Sequence, residues 1–292
     1  MPIGAVTGGL VAGRIGKAKG EMTMAALEKM FDVRGKSVIV TGGASGIGRA
    51  YAEIMAEGGA KVCIFDIDPA GLDRTVAEIG GDCWGQVVDV GDRAAMAAAF
   101  DAVAARHGRI DTVFANAGID PGPGFMTPVG TRNPDGAIEN IPDEQWDRGI
   151  EINLTSVYTT VKHAVRHMKP AGGGQIIVTS SIASEINESI VGTSYMPAKA
   201  AVNHFVRHMA MELGAYGIRV NAILPGPFIT NIAGGRLRIK EDRAAFESQS
   251  LIGRIGDVED IKGLALLLAS PAGSYMTGSL VVIDGGSLIR MT

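Results

Sequence analysis

Tyr195 and Lys199, in the run Tyr195-Met-Pro-Ala-Lys199, are the sharpest chemical signal in this chain. Four positions apart on a helix, the two side chains share one face and lie one turn from each other. A tyrosine is a poor acid or base at neutral pH, with a free pKa of about 10. An ammonium about 4 Å away, at an effective dielectric of about 20, contributes roughly 4 kcal/mol. That lowers the phenol's pKa by roughly three, before desolvation takes some of it back. The pair therefore suits proton transfer. Ser181 follows the apolar run Gln175-Ile-Ile-Val-Thr179 and offers a hydroxyl that can hold a substrate oxygen. Alone, a Tyr and Lys at this spacing would be an ordinary surface pair.

A second signal lies near the start of the chain. Thr41-Gly-Gly-Ala-Ser-Gly-Ile-Gly48 follows the apolar run Ser37-Val-Ile-Val-Thr41 and opens a helical segment. Glycines at 42, 46 and 48, with Ser45 and Ile47 between them, let the backbone turn tightly and approach a pyrophosphate. The helix start then offers free N–H groups and a positive dipole end. Asp66 closes the next apolar run, Lys61-Val-Cys-Ile-Phe65. A carboxylate there can accept both hydroxyls of an adenosine ribose and would repel the extra phosphate of NADP, which favours NAD. A simple helix cap is the plainer alternative for Asp66. Asp89 and Val90 end a third run, where an adenine amino group can be met. Asn116, Ala117 and Gly118 end a fourth, and their small side chains leave room at the sheet edge.

Several elements must position these groups. Short apolar runs at 37–41, 61–65, 84–88, 111–115, 175–179, 219–224 and 279–283 read as strands. Amphipathic segments at 46–58, 70–79, 93–107, 143–168, 194–216 and 258–269 read as helices. Strands that are apolar along their whole length are buried on both faces. The fold class is therefore α/β: a single doubly wound domain, a seven-stranded parallel sheet with helices on both faces. Residues 34–292 form this domain. Residues 1–33 form an N-terminal extension, a flexible tail or an interface arm, with a short helix over 21–30.

Composition narrows the function classes. The 292 residues carry 27 Lys+Arg against 31 Asp+Glu, a formal net charge of −4, and 46% are hydrophobic. That much apolar surface excludes a disordered chain. A net-acidic chain without a basic block argues against nucleic acid as a partner. No apolar run approaches the roughly 18 residues that span a bilayer, so no membrane integration is expected. Cys63 and Cys83 form no CxxC pair, and a reducing cytoplasm suits them. His163 and His167, like His204 and His208, have a spacing that a metal would need. No carboxylate or cysteine joins either pair in a motif, so no metal is expected.

From about Arg34 to Ser287 the chain resembles the short-chain dehydrogenase/reductase family, in its smaller single-domain, Rossmann-like form. The resemblance rests on the TGGASGIG turn, Asp66, Asp89-Val90, Asn116-Ala-Gly118, Asn153 in EINLTS, Ser181 in IIVTSS, Tyr195 to Lys199, Pro225-Gly226 and Ile283-Asp-Gly-Gly286. It implies that Tyr195 is the general acid/base and that Lys199 lowers its pKa and holds the nicotinamide ribose. A cationic nicotinamide ring would help Lys199. It implies that Ser181 positions the carbonyl or hydroxyl and that Asn153 holds a water linking Lys199 to solvent. Pro225, Gly226, Phe228 and Thr230 would lie over the nicotinamide and its phosphate. A homodimer or homotetramer built on the long helices, and a mobile lid over 230–251, follow from the same resemblance.

The reading is an NAD-dependent oxidoreductase that moves a hydride between nicotinamide and a secondary alcohol or ketone. Phe228, Ile232, Phe246 and Leu251 hint at an apolar substrate. The alternatives are an NADPH-dependent carbonyl or 3-oxoacyl thioester reductase and, from a different class, a non-catalytic nucleotide-sensing scaffold. Three features depart from the family pattern: the long N-terminal extension, the long loop over 119–141 with Pro121, Pro123, Pro128 and Pro134, and Pro197 inside the Tyr–Lys turn. The loop is expected to wall the substrate site or to touch another subunit.

Overall fold

The computed structural model describes residues 24–127, 130–232, 235, 237 and 239–291. The tail reading over 1–23 and Pro128 of the long loop lie outside them, as do Gly234 and several other lid positions.

Runs rich in Val and Ile form the strands, because branched side chains pack well on a pleated, buried surface. They are β1 (Ser37–Thr41), β2 (Lys61–Asp66), β3 (Cys83–Val87), β4 (Thr112–Ala115), β5 (Gly174–Thr179), β6 (Ile218–Pro225) and β7 (Leu280–Ile283). All pair in parallel, in the order β3-β2-β1-β4-β5-β6-β7. The order reverses between β1 and β4, so a crevice opens at their carboxyl ends.

Side chains alternate between the two faces of the sheet. Ile39, Cys63, Val113 and Ile176 face α4 (Arg93–His107), α6 (Ser156–Met168) and α7 (Tyr195–Leu213). Val38, Val40, Ile64 and Ile177 face the layer that holds α2 (Gly46–Glu57), α3 (Pro69–Ile79) and, beyond α8 (Lys240–Gln249) in the chain, α9 (Lys262–Ala269). The central strand β1 is buried throughout. The edges differ from the expectation of full burial. Val87 of β3 and Val282 of β7, on the two outermost strands, are exposed.

The helix expected over 143–168 is one path with a defect. α5 (Asp143–Ile150) runs into a π-helical turn, Glu151–Thr155, before α6 resumes. The Ser156 N–H reaches back to the Glu151 carbonyl, five residues away, and so widens the turn. The segment expected over 194–216 ends its α-helix at Leu213, with a 3₁₀ turn at Gly214–Tyr216. The short N-terminal helix is α1 (Met24–Met30), with no buried residue.

The long loop is folded rather than slack. Two 3₁₀ turns, Pro134–Gly136 and Ile138–Asn140, lie within it. Pro123 bridges to Val191, and the Met126 N–H donates to the Ser189 carbonyl (3.0 Å). The loop thus packs on the segment between Ser181 and Tyr195.

Candidate active site

The glycine turn is built by exclusion. Gly42 and Gly46 have φ of 65° and 55°, where a Cβ is penalised. A Cβ on Gly48 would collide with the Gly42 carbonyl oxygen, so only glycine lets α2 start this close under the turn. Thr41 and Asn116 lock the turn to β4. Thr41 Oγ1 accepts the N–H groups of Asn116 (3.0 Å) and Ala117 (3.1 Å). Asn116 Nδ2 donates to the carbonyls of Thr41 (3.1 Å) and Gly42 (3.2 Å). Asn116 therefore acts on the turn's shape, with its amide already engaged. Ser45 occupies the N-cap of α2 with extended backbone, and its side chain makes no cap bond. The first N–H groups of α2 are left facing the cleft, a donor set that fits a pyrophosphate.

Asp66 lies at the end of β2, in the cleft wall. Its Oδ2 accepts the Ala44 N–H (2.9 Å) and its Oδ1 the Asp68 N–H (3.0 Å). A carboxylate has about four acceptor positions, so two remain for a diol. The residues present fit the adenosine end of a dinucleotide. Asp89 and Val90 also line the cleft. Asp89 accepts the Gly91 N–H (2.8 Å) and pairs with the Arg148 guanidinium (3.3 Å). Arg148, on α5, is a cleft residue that sequence reasoning missed. It lies 59 positions from Asp89, and only the α5 docking brings it there.

The same cleft, about 550 Å³, is lined at its other end by Ser181, Tyr195 and Lys199. Tyr195 begins α7 and Lys199 follows one turn later, with Pro197 tolerated in the first turn. Lys199 Nζ sits 5.5 Å from the Tyr195 ring centre and donates to the Thr179 carbonyl (2.9 Å). Ser181 ends the path from β5, and its Oγ accepts the Ala183 N–H (3.1 Å).

The electrostatics depart from the expectation. Burial dominates and pushes the Tyr195 phenol up to about 12, with Glu188 and Asp120 adding to the rise. The hydrogen bond from the Ser181 side chain pulls the other way. Burial also pushes the Lys199 ammonium down to about 8. The spacing leads to an expected net fall with desolvation taking back only part of it; burial instead dominates and the net shift is upward. Without a further positive charge in the cleft, the phenol does not reach the neutral range. Asp120, also in the cleft wall, and Glu188 are two more residues that motif reading missed.

Asn153 is buried in the π turn beside this group. Its Nδ2 donates to the carbonyls of Ile119 and Gly149 (both 3.1 Å), and its Oδ1 accepts the Ile119 N–H (3.1 Å). The side chain thus ties the chain leaving β4 to α5. A Cβ on Gly118 would stand 3.1 Å from Asn153 Oδ1 and 3.7 Å from Lys199 Nζ, so Gly118 separates the two. Pro225 ends β6, and Gly226, Phe228 and Thr230 follow it along the cleft. Thr230 Cγ2 comes within 3.3 Å of a Cβ built on Gly46, so Thr230 closes over the glycine turn.

The paired histidines have other neighbours. His163 lies tilted against Phe100, with ring centres 5.9 Å apart, and His167 meets Asp101 at 3.0 Å. His204 and His208 are exposed. Among the described residues, no group of three or more His, Cys, Asp and Glu is placed to hold a metal ion.

Comparison with known proteins adds independent findings. The family model described as Enoyl-(Acyl carrier protein) reductase matches residues 42–287. The chain is 37% identical over 251 residues to cis-4-hydroxycyclohexanecarboxylate dehydrogenase of Sinomonas cyclohexanicum, covering 85% of this chain and 94% of that one. It is 34% identical over 257 residues to a 3-oxoacyl-(acyl-carrier-protein) reductase of Chlamydia pneumoniae, covering 86% and 96%. Among solved structures, a short-chain type dehydrogenase/reductase from Mycobacterium marinum superposes with a TM-score of 0.79 at 34% identity, covering 89% of this chain and 98% of that one.

Proposed function

Since the chain belongs to the short-chain dehydrogenase/reductase family, a group of nicotinamide-dependent oxidoreductases, we propose that it is an NAD-dependent dehydrogenase of secondary alcohols. One observation carries the reading: Ser181, Tyr195 and Lys199 line one end of a cleft whose other end is the glycine turn and Asp66.

A bound nicotinamide dinucleotide supplies the hydride acceptor and a positive charge near the phenol. The chain's own groups do the rest. The α2 N-terminus, with Gly42, Ser45, Gly46, Ile47 and Gly48, holds the pyrophosphate. Asp66 takes the adenosine ribose, and Asp89 and Val90 flank the adenine. Asn116, Ala117 and Gly118 shape the floor, and Pro225, Gly226, Phe228 and Thr230 cover the nicotinamide half. Ser181 holds the substrate oxygen. Tyr195, as phenolate, takes the hydroxyl proton, and the Lys199 ammonium stabilises that phenolate. Asn153 braces the lysine's surroundings and links them to solvent through water. In reduction the same phenol returns the proton.

The preference for NAD rests on charge. Of the cations that line the cleft among the described residues, Arg148 is paired with Asp89 and Lys199 is bonded to Thr179. Asp66 would face a ribose phosphate as a like charge. A second reading, an NADPH-dependent carbonyl or 3-oxoacyl thioester reductase, is favoured by the likeness to the Chlamydia pneumoniae enzyme. Initial rates on a panel of secondary alcohols and 3-oxoacyl thioesters, with each cofactor, separate the two. Alcohol oxidation with higher kcat/KM for NAD is expected, and Asp66→Ala should narrow that ratio. An unchanged ratio in Asp66→Ala, or a wild type that prefers NADPH, would contradict the assignment. The cytoplasm and a homodimer or homotetramer complete the proposal.

A further inference from the structure

Asn203 lies on α7, one turn beyond Lys199, and is buried. It does not line the cleft, yet its amide is fully committed around Ser181. Its Oδ1 accepts the Ser180 hydroxyl (2.7 Å). Its Nδ2 donates to Ser184 Oγ and to Glu185 Oε1, both at 2.7 Å. These partners fix which end of the amide is which. The Glu185 carboxylate only accepts, and the Ser184 hydroxyl spends its hydrogen on the Ser181 carbonyl (2.5 Å). One side chain therefore grips the residue before Ser181, and through Ser184 it grips Ser181 itself.

The segment it holds needs such support. After β5 the chain leaves the sheet through Ser180 and Ser181 into a single 3₁₀ turn, Ile182–Ser184. That turn has little cohesion of its own: the Ser184 and Glu185 N–H groups donate to the Ser181 and Ile182 carbonyls. Within it the Ala183 N–H holds Ser181 Oγ (3.1 Å), but that bond is internal to the turn and does not tie it to Tyr195, which belongs to α7. Asn203 also belongs to α7. Its amide ties the serine's backbone to the helix that carries Tyr195 and Lys199.

We propose that Asn203 is a positioning residue that fixes the Ser181 hydroxyl against Tyr195, by bracing Ser180 and Ser184 from the catalytic helix. The proposal rests on Ser181 orienting the substrate oxygen. A reacting group displaced by about 1 Å costs on the order of 100-fold in rate.

A double-mutant cycle tests it. Asn203→Leu, Ser181→Ala and the double variant are assayed for kcat/KM with a secondary alcohol, and for NAD dissociation by fluorescence. Asn203→Leu is expected to lower kcat/KM roughly 10- to 100-fold in the wild-type background. In the Ser181→Ala background the further loss should be less than about twofold, because the two act as a unit. NAD dissociation should stay within about twofold of wild type, which a general loss of structure would not allow. An equal loss in both backgrounds, or no loss in either, overturns the proposal. If Ser181→Ala itself leaves kcat/KM unchanged, the assignment of Ser181 fails, and that result is distinct from the others. If Asn203→Leu does not fold, Ser184→Ala removes the link to the Ser181 carbonyl and is put through the same cycle, with the same outcomes deciding.

Discussion

On the proposed reading Tyr195 carries the chemistry, and its surroundings set its pH range. Burial raises the phenol first, and the Glu188 and Asp120 carboxylates raise it further. Burial also raises the Glu188 carboxyl itself, so its charge is held at some cost. Alcohol oxidation needs the phenolate, so kcat should climb with pH through the Tyr195 titration. Glu188→Gln removes a negative charge that opposes ionisation. Its rising limb should move toward acid in a pH–rate profile taken at saturating alcohol, while the plateau keeps its height. A limb that stays in place, or moves toward alkali, would show that Glu188 does not act on the phenol. Ketone reduction uses the protonated phenol, so its profile should fall where the other rises.

The elements also carry a pH dependence, at the end of the sheet away from the cleft. The Trp84 indole N–H donates to His107 Nε2 (3.1 Å), so that nitrogen is bare and Nδ1 carries the hydrogen toward Ser37 Oγ (2.8 Å). The arrangement joins β3, the end of α4 and the start of β1. Burial lowers the His107 pKa from its ordinary 6.5. The folded chain thus takes up this proton less readily than the unfolded one. The stability is present above that ordinary value and is lost as pH falls from it through the folded value. His163 is lowered in the same direction. The urea midpoint should fall on acidification from neutral pH, and His107→Gln should flatten that fall. Identical slopes for the two proteins would exclude His107 as a contributing group. Not all of these elements could be read from the sequence. The strands were legible, since Ser37-Val-Ile-Val-Thr41 and Gln175-Ile-Ile-Val-Thr179 have no other plausible use than buried β-structure. The π turn at Glu151–Thr155 was not, because apolar periodicity runs through it unbroken, and the Asn153 bonds to Ile119 that accompany it are tertiary. The motif residues were legible as types. The Arg148–Asp89 pair, Glu188 and the Asn203 clamp depend on which helix faces which loop, and no local spacing encodes that.

At the scale of the whole molecule, two ends of one cleft come from different parts of the chain. The end proposed to hold the dinucleotide is made by the turn after β1, α2 and the end of β2, while the described part of the long loop packs on the segment before Tyr195 and against α5. Shortening residues 125–138 should therefore change the order of preferred alcohols and leave the NAD dissociation constant within about twofold. A large loss of NAD affinity would mean that the loop supports the fold as a whole. Family membership places the chain among nicotinamide oxidoreductases, and on the proposed reading the substrate's proton passes through Tyr195, next to Lys199 and Ser181. The most direct measurement is turnover of Tyr195→Phe, with NAD binding measured on the same sample. A fall in kcat of about 1,000-fold or more with NAD binding retained is the predicted result. A variant that binds NAD and turns over within about tenfold of wild type would contradict it.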